Sequence, residues 1–217
     1  MIVVVGNPAW NPGPPPGPGG RAASIAVAAA DAGARVELIG RIGDDVAGDA
    51  LVSALTRAAV GHAALLRDPV RPTLLVATAD AEDDDVIGGP EDVADPPAEE
   101  PRSPEGPTLA AADVSLGLRY LTDFGVLVVS DDAPVTVVPA CIEAAAYAGA
   151  HLVVAVTASE PVPDGLPADA TVLQAPHDAG GGFARLLGRY AVALDGGADP
   201  AAAFATATGH GWERPGA

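Results

Sequence analysis

The chain has 217 residues, enough for one α/β domain with a sizeable apolar core. Apolar residues make up 49% and aromatic residues only 4%, so the core is predicted to consist mainly of Ala, Val and Leu. The net charge is −18, which argues against binding to nucleic acid or to an anionic membrane. The absence of lysine also excludes a phosphate loop ending in Gly-Lys-Ser/Thr.

The only cysteine, Cys141, excludes an intramolecular disulfide and any zinc site built on several cysteines. It lies in an apolar helical segment, and we interpret it as a buried, inert thiol. The first residues contain no basic leader, and no apolar run reaches membrane-spanning length. A soluble, cytoplasmic protein is therefore expected, and no metal site of its own is predicted.

Segments typical of strands and of helices alternate along the chain. The predicted strands are residues 1–5, 35–43, 71–80, 126–131, 151–157 and 171–175. The predicted helices are residues 22–32, 44–60, 108–124, 136–150, 180–197 and 199–211. A Pro/Gly-rich connection over 7–20 is neither a helix nor an inner strand. This alternation predicts a single α/β domain over 1–217 with a doubly wound, mostly parallel sheet, whose ligands bind at the carboxyl ends of the strands.

Residues 80–107 differ in composition from the rest of the chain. This segment contains eleven acidic residues, one arginine and six prolines. Such a composition is typical of a solvated surface loop. A calcium site remains an alternative, although the acidic residues lack the alternating spacing of an EF-hand loop.

Three consecutive glycines, Gly180, Gly181 and Gly182, come directly before the amphipathic run 183–190. A glycine-rich turn that opens a helix offers backbone N–H groups to an anion, and the helix dipole adds positive potential. The sequence therefore indicates a candidate phosphate site at this turn.

Residues 19–55 closely resemble the N-terminal signature of the ribokinase, or PfkB, family of carbohydrate and nucleoside kinases. The signature has Gly-Gly, an Asn four residues later, an Ala-rich helix and a Gly-x-x-Gly-Asp-Asp-x-x-Gly pattern. Here Gly19 and Gly20 match, Ser24 replaces the Asn, and the last pattern covers 40–48. The resemblance extends more weakly along most of the chain, and Asp132 takes the place of an acidic residue that precedes a proline.

The resemblance implies a ribokinase-like fold, ATP and Mg²⁺ as cofactors, and a sugar or nucleoside hydroxyl as phosphate acceptor. It implies a substrate-binding role for Asn11, Gly19, Gly20, Ser24 and Asp132. In the family, a Gly-Ala-Gly-Asp turn stabilises the transferring phosphoryl group with its N–H groups, and its Asp takes the proton from the hydroxyl.

The matching turn in this chain implies an anion hole at Ala179, Gly180 and Gly181, where Gly181 stands at the position of the catalytic Asp. The resemblance also implies that the lid strands are missing between residues 11 and 17. By the same resemblance, the nucleotide-binding half is expected to be shortened between about 174 and 180.

Two functions from different classes follow. The first is a carbohydrate kinase homologue that has lost, or nearly lost, phosphotransfer and serves as a binding or regulatory protein. The second is a minimal sugar or nucleoside kinase that uses Asp178 or Asp132 as its base.

Other candidate residues have plainer alternatives. Asp178 is also an N-cap candidate for the following helix, and His177 a loop residue. Asp44 and Asp45 are predicted to start a helix, with a ligand as the alternative, and Asp131 pairs with Asp132 at the end of a strand. A homodimer through an exposed sheet edge or an Ala-rich helix face stays open.

Overall fold

The computed structural model describes residues 1–76, 105–159, 161–176 and 181–209. The predictions for His177, Asp178, Ala179 and Gly180, and for most of the acidic segment 80–107, lie outside these residues.

A parallel sheet forms the centre of the molecule. Its strands are β1 (Ile2–Val5), β4 (Val36–Gly43), β5 (Val60–Gly61), β6 (Leu65–Asp68), β7 (Val126–Val129), β8 (His151–Thr157) and β9 (Thr171–Ala175). They lie in the order β5-β4-β1-β7-β8-β9, and β6 pairs with β4 beyond the end of β5. The runs of β-branched residues in β1 and β7 are fully buried, as expected for strands covered on both faces. The predicted doubly wound parallel sheet is confirmed.

Helices cover both faces of this sheet. They are α1 (Arg21–Asp31), α2 (Val46–Arg57), α3 (Ala111–Tyr120), α4 (Val138–Ala148), α5 (Gly182–Asp195) and α6 (Pro200–Thr208). Helices α1, α2, α5 and α6 pack on one face, and α3 and α4 pack on the other. Successive strand residues alternate between the two cores: Ile2 and Val4 belong to the first, and Val3 and Val5 to the second. No helix among the described residues is long and apolar enough to span a membrane.

The Pro/Gly-rich connection forms a small sheet of its own. Strands β2 (Ala9–Asn11) and β3 (Gly17–Gly19) pair antiparallel, with Asn11 opposite Gly17. This ribbon stands where the family resemblance implied missing lid strands, and each of its strands has only three residues.

The predicted strand over 71–80 is wrong in its described part. The strand in this region is β6, and residues 71–76 join no ladder apart from one bridge between Trp10 and Leu75. The Asp68 carboxylate ends β6 because it accepts the N–H groups of Val70 and Arg71. The polar groups of Thr73 then bind the start of α2 and the end of β4, so they are not available for a ladder.

Candidate functional site

The carboxyl ends of β1 and β7 form the topological switch point of the sheet. The chain proceeds from β1 to β4 in one direction and from β7 to β8 in the other, so a crevice opens between β1 and β7. In open α/β sheets ligands bind in the crevice at this point. Asn7 follows β1 closely, and Asp131 and Asp132 follow β7.

Asp132 is a buried acidic group of this crevice. One carboxylate oxygen accepts the N–H of Ala22 at 2.9 Å, and the other accepts the N–H of Asn7 at 3.3 Å. The side-chain amide of Asn7 donates to the carbonyl oxygen of Asp132, also at 3.3 Å. Asp132 therefore connects the end of β1 to the start of α1, two positions that lie more than a hundred residues away in the chain.

Burial raises the pKa of Asp132 to about 6. The N–H of Ala22 opposes this rise because it stabilises the carboxylate, and the neighbouring charge of Asp131 adds to the rise. Near neutral pH the group is a carboxylate at the N-terminus of α1, where the helix dipole favours an anion.

The turn at Gly19 and Gly20 starts α1 without a capping side chain. Gly20 is the N-cap residue with φ of +79°, a conformation that favours glycine, and it makes no side-chain cap hydrogen bond. The Asp132 carboxylate supplies this cap from outside the helix. Gly19 is buried in β3 opposite Ala9, so its matched position in the family signature also serves the β2–β3 ribbon.

Two predicted substrate-binding side chains have local hydrogen-bond partners. The Ser24 hydroxyl donates to the carbonyl oxygen of Gly20 at 2.8 Å within α1. The Asn11 side-chain oxygen accepts the N–H of Gly13 at 2.9 Å in the turn of the ribbon. The substrate-binding role of Asn11 and Ser24 stays a prediction, since these contacts leave each side chain further hydrogen-bonding capacity.

Arg21 links the starts of α1 and α5 to the end of β7. Its guanidinium pairs with Asp131 at 3.2 Å, donates to the carbonyl oxygen of Pro176 at 3.4 Å, and lies 5.3 Å from the ring centre of Phe183. The two helices run parallel: Arg21 lies near Phe183, and Gly188 lies near Ala28 further along. Both helix N-termini are thus held at the carboxyl edge of the sheet.

Gly181 is the N-cap of α5 with φ of +66°, and the N–H of Arg185 donates to its carbonyl oxygen at 3.1 Å. A cavity of about 390 Å³ lies between α1 and α5, lined by residues that include Ser24, Gly181 and Arg185. The structure therefore brings together Ser24 and Gly181, which are far apart in the sequence. Arg21 and Asn7 were not predicted from the sequence. Arg21 directly follows Gly20, and Asn7 lies two residues after the first strand.

Asp45 lies at the carboxyl end of β4, away from the switch point. It caps α2 by accepting the N–H of Gly48 at 2.7 Å, and it also accepts the hydroxyl and N–H groups of Thr73. The two bonds from Thr73 and that from Gly48 lower the pKa of Asp45 against the opposing effect of burial, the largest single contribution. The predicted helix start is confirmed.

The start of α5 suits an anionic group because helix N-terminal N–H groups point outward beside Arg185. Within the described ranges, no group of three His, Cys, Asp or Glu residues is placed to hold a metal ion. A magnesium ion commonly binds one or two carboxylates and depends on phosphate oxygens for the rest. The residues present are thus compatible with a metal that arrives with a nucleotide.

Comparison with known proteins shows which family part of the chain resembles. Residues 15–115 match the model of the pfkB family carbohydrate kinases. The resemblance inferred from residues 19–55 is confirmed. The residues of this signature form the turn, helix and strand on one side of the crevice. No curated protein matches the chain.

Solved structures share the fold. The structure of Sa239 has a TM-score of 0.63 at 11% identity. The match covers 100% of this chain and 95% of the Sa239 chain. A protein from E. coli described as a ribokinase II, in complex with ATP and Mg²⁺, has a TM-score of 0.64 at 14% identity. The match covers 95% of this chain and 90% of the E. coli protein. A Xylella fastidiosa fructokinase with bound ATP has a TM-score of 0.51 at 16% identity. The match covers 95% of this chain and 67% of the fructokinase. Against two further ribokinase structures, the chain spans about half, 52%, of their length.

Proposed function

We propose that this chain is a pfkB-type carbohydrate kinase homologue that binds a small hydroxyl-bearing ligand, a sugar or nucleoside, and transfers phosphate weakly or not at all. The ligand would occupy the carboxyl edge of the sheet, between the starts of α1 and α5. The observation that carries the proposal is Gly181: a residue without a side chain starts α5 where the family resemblance implies the catalytic Asp.

The other acidic groups at this edge support the same conclusion. A general base must be free to accept a proton from the attacking hydroxyl. Asp131 is held in an ion pair with Arg21, and Asp132 uses both of its oxygens to bind backbone N–H groups. Removing Asp132 from these bonds would leave the start of α1 without its cap, so this residue is poorly suited to be the base.

ATP and Mg²⁺ would supply the phosphoryl group and neutralise its charge when bound. The chain's own contribution would be orientation: the N–H groups of the α5 start and Arg185 would hold an anion, and Ser24 and Asn11 would contact hydroxyl groups. General-base loss alone typically costs about 10²–10⁴-fold in rate, which leaves binding intact.

The test is restoration of the base in Gly181→Asp. The cavity has room, since a Cβ at Gly181 would lie 3.5 Å from the Arg185 guanidinium. Asp tolerates the left-handed conformation better than most residues. We expect MgATP-dependent phosphorylation of at least one member of a sugar and nucleoside panel, about tenfold or more above the unmodified chain. ADP release and labelled product are both measured.

Two control variants separate the effect of a restored general base from the effect of backbone strain at residue 181. Gly181→Asn has nearly the same shape and cannot act as the base, so it should stay at the level of the unmodified chain. Gly149→Asp places the same side chain in a similar conformation, with φ of +64° and open space, at the far end of α4. It should reproduce the backbone strain of a left-handed Asp, with a less favourable helix-dipole contribution at this helix C-terminus, and it should give no activity.

A second candidate is the minimal kinase that uses Asp178, which directly precedes the predicted anion hole in the sequence. Substrate turnover by the unmodified chain that is abolished in Asp178→Ala would establish this function and refute the loss of activity. If neither Gly181→Asp nor the unmodified chain turns over any substrate, while calorimetry detects sugar binding, the truncations rather than Gly181 would be the main defect.

A further inference from the structure

Helices α3 and α4 leave an apolar surface exposed on the second face of the sheet. We define the α3–α4 surface by Leu116, Arg119, Tyr120, Glu143 and Tyr147. Tyr147 is 92% exposed, Tyr120 80% and Leu116 47%. Four of these residues lie in the C-terminal halves of their helices and Glu143 lies at the middle of α4. Helices that follow parallel strands run back toward the amino edge of the sheet, so the surface lies toward that edge. The surface is thus remote from the crevice.

Two grooves lie on either side of α3. The groove between α3 and α4 has a volume of about 410 Å³ and includes Phe124 at its base. The groove between α3 and the β5–β6 edge has about 400 Å³ and includes Ala64 and Leu121. The chain has three tyrosines, and two of them stand exposed beside these grooves. Exposed aromatic residues next to apolar grooves are typical of protein–protein contact surfaces.

The charges of the surface indicate what covers it. Arg119 and Glu143 line the same groove, and neither makes an ion pair within the described part of the chain. One positive and one negative group make the surface self-complementary, because a twofold axis brings each residue opposite the other in a second copy. The net charge of −18 would attract a basic partner to the molecule as a whole. In this groove, however, the charges of Arg119 and Glu143 balance each other.

The area is adequate for such a contact. A buried Tyr contributes roughly 150–250 Å². Two tyrosines, Leu116 and the groove walls therefore supply a large part of the about 800 Å² that each partner commonly buries in a stable interface.

We propose that a second copy of this chain docks on the α3–α4 surface across a twofold axis. Tyr147 and Tyr120 fill the grooves of the opposite copy, and Arg119 pairs with Glu143 of the partner subunit. This inference is independent of the proposed function, because the surface lies at the opposite edge of the sheet.

Sedimentation velocity over a wide range of concentration tests the proposal. The unmodified chain should sediment with twice its mass of 21.3 kDa. The single variants Arg119→Glu and Glu143→Arg should each raise the dimer dissociation constant by about tenfold or more. The double variant should recover the dimer, and an equimolar mixture of the two single variants should form heterodimers more readily than either forms homodimers.

Val46→Asp is the matched control, since Val46 is 85% exposed and starts α2 on the other face. It should leave the mass unchanged, and circular dichroism checks that every variant is folded. A monomer at all concentrations overturns the proposal. So does a dimer that tolerates both single reversals. If the chain dimerises only after residues 80–104 are removed, that segment and not a second copy covers the surface in the full chain.

Discussion

The two faces of the sheet are covered by helices that pack in different ways. On the first face, α1 and α5 approach so closely that a Cβ at Gly188 would lie 2.8 Å from the Cβ of Ala28 and 2.9 Å from the backbone nitrogen of Ala29. On the second face, α3 and α4 leave two grooves and two exposed tyrosines. Close contact leaves little freedom for the helices whose N-termini meet the crevice. The second face is covered more loosely, and it carries the surface on which we propose that a second copy docks.

Glycine substitutions should show the largest difference between the two faces. Gly188→Ala places a methyl group against backbone atoms of α1 that cannot rotate away, and we expect a loss of about 2 kcal/mol in the free energy of unfolding. Gly117→Ala in α3 meets only side-chain atoms of Ala64 and Ile39, at 3.1 Å, and gains about 1 kcal/mol in helix propensity. Its net effect should be close to zero.

Urea unfolding of both variants and the unmodified chain gives the two differences directly. Equal losses of unfolding free energy for Gly188→Ala and Gly117→Ala would mean that the two faces are packed equally tightly. That result would contradict the difference in packing between them.

Asp132 gives the first face a pH dependence in the acidic to neutral range. The pKa of Asp132 is raised to about 6 in the folded protein, above its value in the unfolded chain. The folded state therefore binds more protons, and this stabilisation is present at low pH and lost as the pH rises through about 6. Between pH 5 and 7.5 the loss should be roughly 1 kcal/mol.

Asp132→Asn removes this contribution and also one of the acceptors for Asn7 and Ala22. The difference in unfolding free energy between the unmodified chain and the variant should shrink by roughly 1 kcal/mol from pH 5 to pH 7.5. Urea titrations at several pH values measure it. A difference that stays constant with pH would show that Asp132 is already ionised at pH 5 in the folded chain.

Surface substitution on the second face should have the smallest effect. Tyr147→Ser removes a ring that is 92% exposed, so the free energy of unfolding of the monomer should change by less than about 0.5 kcal/mol. The measurement is made at low protein concentration. A loss of stability that appears only at high protein concentration would locate the contribution of Tyr147 at a contact between copies.

The sequence predicted those elements whose signals are local. Runs such as residues 2–5 and 126–129 are buried strands, and Asp45 caps α2 where a carboxylate starts a helical pattern. The strand predicted over 71–80 is wrong in its described part, residues 71–76. Its apolar residues are typical of a strand, but Asp68 and Thr73 hydrogen-bond the neighbouring backbone in turns and caps.

The candidate site was less accessible to prediction. Gly19, Gly20 and Ser24 were found from the family signature, and Asp132 from its place after a strand. Its hydrogen bonds to Asn7 and Ala22 join residues distant in the sequence, which no local pattern records. The grooves beside α3 arise only from the spacing of packed helices.

The buried Cys141 makes the second face measurable without any substitution. Its thiol is inaccessible in α4, and burial raises its pKa to about 12, so it is unreactive in the folded chain. It is also the only cysteine of the chain. A thiol reagent can therefore modify the protein only when α4 lifts from the sheet. The labelling rate of Cys141 therefore reports how often that face opens locally. The rate should fall when a bound partner keeps α4 packed on the sheet.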